Sequence, residues 1–211
     1  MPKAKLAAPK KALYNVHPGV AMMQKWIVDL PQKTGRSLEE WLAIVKEEGP
    51  PTEQEQRQWL KRDHGLGANY AWGIAERASG KGGEESDPES YLIAAENYVE
   101  EMFAGPKAGM RPIYNALLKL GKSLGKDVKA CPCKTIVPLY RKHVFAQIKP
   151  STRTRIDFGF ALKNTQATGR LIDTGGLAKG DRITHRIEIA SLADLDDEVK
   201  HWLQVAYEMD V

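Results

Sequence analysis

Cysteine is scarce in this chain. Its 211 residues carry two, Cys131 and Cys133, with Pro132 between them. Two thiols cannot make the disulfide framework of a small secreted domain. Nor do they signal zinc, which wants four ligands where no second Cys pair exists, and the spacing to His143 and His185 predicts nothing. No apolar run approaches the ~20 residues that span a bilayer. The opening MPKAKLAAPKKALYNVHPG bears lysines with no continuous apolar segment behind them, so no secretory signal is read there. Together these point to the reducing cytoplasm and away from a membrane. Also missing are a Gly-rich phosphate loop, an H-E-x-x-H pair and a G-x-S-x-G elbow. Their absence argues against the common kinase, dehydrogenase, metalloprotease and serine-hydrolase chemistries. The sequence assigns no catalytic residue, no metal ligand and no cofactor.

What is present is ordinary core material. A hydrophobic content of 42% supports a real core, and 27% charged residues suit a solvated surface. The length allows one large domain or two small ones. The net charge of +4 is compatible with an acidic partner without demanding one.

Residues 1–18 read as a disordered basic tail, with Lys3, Lys5, Lys10 and Lys11 along it. Residues 19–78 read as a helical domain. Met22, Met23, Trp26, Ile27 and Leu30 recur at helical spacing, and Pro31 is expected to stop that run. Ser37 with Glu40, and Thr52 with Glu55, form two S/T-x-x-E capping boxes that start further helices. His64-Gly65-Leu66-Gly67 breaks the chain before an alanine-rich helix over residues 68–78. The stretch 79–90, SGKGGEESDPES, has no periodicity and reads as a linker.

Residues 91–211 read as an α+β domain of order ααβββββα, an antiparallel sheet of about five strands packed with helices. The expected strands are Val128–Cys131, Thr135–Tyr140, Val144–Lys149, Arg155–Leu162 and Arg182–Ala190. In the central one Ile156, Phe158, Phe160 and Leu162 fall on one side, Arg155, Asp157 and Gly159 on the other. A period of two marks a half-buried strand whose apolar side helices must cover. Arg170-Leu171-Ile172, in the Gly-bearing connection 163–181, is a further short strand or edge.

Two stretches carry a resemblance. TGRSLEEWLAIV with WLKRDHGLGANYAWGIA, from Thr34 to Ala78, resembles an uncharacterised bacterial family of small helical domains. The segment from about Tyr91 to Tyr207 resembles a second uncharacterised family, also found at the C-termini of larger bacterial proteins, some of them restriction-type. Its matching residues include Tyr140, Phe145, Pro150, Asp157-Phe158-Gly159-Phe160 and His185-Arg186-Ile187. The layout is also similar to the small α+β fold of frataxin-like proteins of the YdhG type. These resemblances imply fold and domain order, and no activity.

Two binding readings follow. From Leu139 to Ala190 ten Lys or Arg stand against four acids, an excess of six. If Lys149, Arg153, Arg155, Arg182 and Arg186 converge, they form an anion site for a phosphorylated ligand or a DNA or RNA backbone, with Tyr140 and Phe145 near enough in sequence to stack on bases. The plainer reading is a solvated strand face. The alternative function is small-molecule binding or stress response, with an aromatic pocket between sheet and helices lined by Tyr114, Tyr140, Phe145, Phe158, His185 and Trp202. The HGLG helix pair could read DNA through Asn69, Tyr70, Glu76 and Arg77, or be a packing hairpin. Asp194, Asp196, Asp197 and Glu198 are read as caps of the last helix, with an iron-binding acidic face as the alternative that the frataxin-like layout implies.

Overall fold

A computed structural model describes residues 13–211. The first twelve residues of the predicted tail lie outside the described residues. The chain divides into two compact units, Val16–Ala94 and Ala95–Val211, the latter joined by residues 13–15.

The first unit holds α1 (Pro18–Thr34), α2 (Leu38–Glu48), α3 (Glu53–Arg62) and α4 (Ala68–Ala78). Both capping boxes form: Ser37 and Glu40 cap α2 reciprocally, and Thr52 and Glu55 do the same for α3. The predicted stop at Pro31 is wrong by one turn. The helix runs through the proline, because the Thr34 hydroxyl bonds Leu30 O and Gly35 N–H bonds Pro31 O to close it. Gly35 has φ +81, a left-handed cap that favours glycine.

The same Thr34 hydroxyl accepts the Trp41 indole N–H at 2.8 Å. His64 meets Trp41 and Trp59 edge-on, with ring centroids 5.3 and 4.4 Å away. Leu60 and Leu66 complete a core with Leu30, Leu38, Trp41, Val45 and Ile74. The motif residues of this unit thus build its core and caps. α4 buries Ala71, Ile74 and Ala75, while Tyr70 stacks on Trp26 and Arg77 lies over the same ring. Two of its four candidate base readers are therefore occupied in packing.

The second unit uses the end of α5 (Pro88–Met102), then α6 (Arg111–Ser123), β1 (Lys129–Ala130), β2 (Val137–Tyr140), β3 (Val144–Pro150), β4 (Ile156–Phe160), β5 (Ile172–Asp173), α7 (Gly176–Lys179), β6 (His185–Ile189) and α8 (Asp197–Met209). α5 starts inside the stretch read as a linker, where Asp87 accepts the N–H groups of Glu89 and Ser90. The six strands make one antiparallel sheet of order β1-β2-β3-β4-β6-β5. This is the expected α+β architecture, with 172–173 supplying the extra edge strand.

Register sorts the two faces. Ile148, Phe158 and Ile187 stand in one cross-strand row, and Pro150, Ile156 and Ile189 in another, all buried. α6 and α8 cover this side: Leu139 packs against Gly121, and Phe145 meets Tyr207 at 5.6 Å. The ladder slips at Leu139/Tyr140, where Tyr140 pairs Val144 and Leu139 pairs Ala146. Phe145 is the extra residue of that bulge, so it joins Ala146 in the core.

Residues 13–15 depart from the predicted tail. Tyr14 is buried, with its hydroxyl 3.0 Å from that of Tyr114. Asn15 exchanges hydrogen bonds with Ala130 through its N–H and its side-chain oxygen. Backbone pairing and a buried ring hold this stretch where composition suggested only lysine-rich disorder.

Candidate anion-binding site

The other face of the sheet carries the charged rows. Lys149, Asp157 and Glu188 are cross-strand partners on β3, β4 and β6, and Gln147, Gly159 and Arg186 form the next row. Asp157 is the hub. Its carboxylate accepts from Ser151 Oγ at 2.6 Å and Arg186 Nη1 at 2.8 Å, and pairs with Arg155 Nε at 3.0 Å. Glu188 pairs with the same two arginines. Two cations and two anions therefore neutralise one another. Of the predicted site residues, Arg155, just before β4, and Arg186, on β6, are on the face but are engaged, each beside an acid. Arg182 is anchored too, to Asp210 at 2.6 Å and to Val144 O at 2.8 Å.

Lys149 and Arg153 have no ion-pair partner among the described residues. Lys149 stands between two clefts. One, of about 600 Å³, lies over β3, β4 and β6, with Lys149, Lys179, Arg182, Arg186, Asp157 and Asp181 around it. Gly159 lies in its lining. A Cβ there would come within 2.7 Å of Ile183 Cγ2 and 3.0 Å of Gln147 Cγ. The second cleft, of about 570 Å³, sits at the β3–β4 hairpin. It gathers Lys107, Lys134, Lys149 and Arg153 around one acid, Glu101, with the hydroxyls of Thr135 and Ser151 beside them. Lys107 donates to Pro150 O at 2.7 Å.

Residues 99–210 match a family described as Domain of unknown function (DUF5655), which covers more than half of the chain. The chain belongs to the DUF5655 family. Residues 22–79 match a second family, Domain of unknown function (DUF4287). No curated protein and no solved structure matches.

The DUF5655 unit does not assemble the predicted aromatic pocket. None of its six residues lines a described cleft. Phe145 and Phe158 fill the core beneath the helices, and Tyr114 on the buried side of α6 spends its hydroxyl on Tyr14. Burial, then the Tyr14 bond, pushes the Tyr114 hydroxyl far above its usual range. His185 is buried with Nδ1 2.9 Å from Thr184 Oγ1, and Tyr140 and Trp202 are half-buried. The alternation that made these rings conspicuous is the reason: an apolar strand face under two helices closes on itself.

Lys107 and Lys134 were missed by sequence reasoning. They lie in connections, in a turn before α6 and between β1 and β2, and no local signal ties them to β3. Cys131 is buried, and burial followed by the charge of neighbouring Cys133 pushes its thiol up to about 12, making it a poor nucleophile. At the start of α8, Asp196 caps through Val199 N–H, and Asp194 accepts from Ala190 and Ser191 N–H, which hold its carboxyl below its usual range. Among the described residues no group of three His, Cys, Asp or Glu could hold a metal. No helix among them is long and apolar enough to cross a membrane.

Asp210 is the buried carboxylate of this family unit. It is 4% exposed and accepts from His143 N–H at 2.8 Å and from Arg182, with His143 Nδ1 at 2.9 Å. Burial raises its pKa, but the bonds from His143 and the Arg182 charge outweigh it and leave the value below the usual one. A depressed folded pKa gives stability that is present above the unfolded value and lost as pH falls through the folded one. Asp210→Asn is expected to cost about 1–3 kcal/mol at pH 7. Urea melts should show that gap to wild type shrinking below about pH 4. A gap that persists undiminished at low pH would contradict a charged role for Asp210.

Proposed function

We propose that this protein is a non-catalytic binder of an anionic partner, and that the partner is nucleic acid held by its phosphates. The observation that carries the reading is the hairpin cleft, where Lys107, Lys134, Lys149 and Arg153 face a single acid. Lys149 and Arg153, with no ion-pair partner among the described residues, keep their field for a ligand. Lys149 also borders the neighbouring cleft, where Lys179 stands, so lysines continue from one cleft to the next, which suits a polymer of phosphates. A single phosphorylated small molecule is the second reading, favoured by the Thr135 hydroxyl in the hairpin cleft. That Cys131 and Cys133 are not joined in a disulfide fits a reducing cytoplasm. The frataxin-like likeness is one of layout and brings no iron-binding role here, since Asp194 and Asp196 serve as caps and Arg170 pairs with Asp196 and Glu198.

Labelled DNA and RNA, duplex and single-stranded, titrated at two salt concentrations test the proposal. Four phosphate contacts predict binding about a hundredfold weaker at 200 mM than at 50 mM salt. No binding of any nucleic acid at low salt would remove it. Inorganic phosphate or a nucleotide monophosphate that binds when no polymer does would favour the second reading.

A further inference from the structure

We infer that this face takes double-helical nucleic acid by its phosphate backbone and reads no bases. The inference rests on the nucleic-acid reading above. Single-strand binders stack bases on exposed aromatic rings, at about 1–3 kcal/mol per base. Here both clefts lack an aromatic lining residue. Phe145, Phe158 and Phe160 are fully buried on the helix side. Guanidinium planes can replace rings, but those of Arg155 and Arg186 are held by Asp157 and Glu188 and that of Arg182 by Asp210, which leaves Arg153 as the one such plane in these two clefts. The groups that remain to meet a ligand, such as Lys107, Lys149, Arg153 and Lys179, are donors, and donors match phosphate oxygens.

The dimensions suit a duplex. Arg182 is fastened to Val144 O, five residues along β3 from Lys149. Those ends lie about 16 Å apart at strand spacing. That distance covers about five base-pair steps at 3.4 Å each. Lys149 and Lys179 line the cleft over this span, with Arg153 in the next one, so cations spread over several steps can meet the backbone of a stiff helix without asking it to open.

The test uses the full chain and fluorescence anisotropy in low salt. The probes are DNA and RNA duplexes of about 20 base pairs in two unrelated sequences, with oligo-dT of equal length. The two sequences should bind within about twofold, and oligo-dT about tenfold more weakly. The DNA and RNA arms show which double helix is preferred. The variant Lys149→Glu with Arg153→Glu, checked for native circular dichroism, should lose at least about tenfold in duplex affinity and about two units of salt slope. Oligo-dT bound as tightly as duplex, or a strong sequence preference, would overturn the inference and leave the nucleic-acid reading standing. Unchanged affinity in the double variant would overturn it by placing the contact elsewhere. Failure of every probe would remove both.

Discussion

Phe158→Ala should cost about 3–5 kcal/mol of stability. The ring is fully buried, lies between Ile148 and Ile187 in the ladder, and meets Phe160 at 4.8 Å. Strands on both sides and helices α6 and α8 beyond them leave little room for collapse, so truncation opens a cavity rather than a shift. Phe158→Leu retains most of the volume and should cost about 1.5 kcal/mol or less. Guanidinium unfolding of the three proteins measures the difference. If the alanine variant loses less than about 1 kcal/mol, well below the usual range, the ring belongs to a yielding pocket and the closed core is wrong. The result therefore also bears on the aromatic-pocket alternative.

The second large effect is expected in the helical unit. Trp41→Ala removes a buried indole, its bond to Thr34 and its edge contact with His64, and should cost about 3–5 kcal/mol. A unit of this size has roughly 4–12 kcal/mol in total. Losing so much should expose the backbone amides of α2, α3 and α4 to hydrogen exchange. Trp41→Phe keeps an aromatic body and forfeits mainly the N–H bond, for about 1 kcal/mol plus the lost volume. Equal exchange in wild type and Trp41→Ala would show that the motif tryptophan does not organise these helices.

Legibility from the sequence followed the range of each interaction. Ser37 with Glu40 and Thr52 with Glu55 lie three residues apart, so their caps could be read directly and they form. Pro31 misled because its penalty was read locally, while Thr34 and Gly35 repair the helix end. Lys149 and Arg153 were legible as cations on and beside a strand. Their freedom from acids was not, and neither was the neutralisation of Arg155 and Arg186, because ion pairing across strands depends on register.

Periodicity with the capping and glycine signals determined the helical unit, and periodicity the α+β order of the C-terminal unit and the apolar face of β4, since each is written in contacts a few residues apart. Packing decided the rest. It brought Lys107 and Lys134 to Lys149 from connections remote in the chain, and it shut the aromatic residues into a core. A side chain's charge and size are local properties. Its partners are set by which strands pair and which helices cover them.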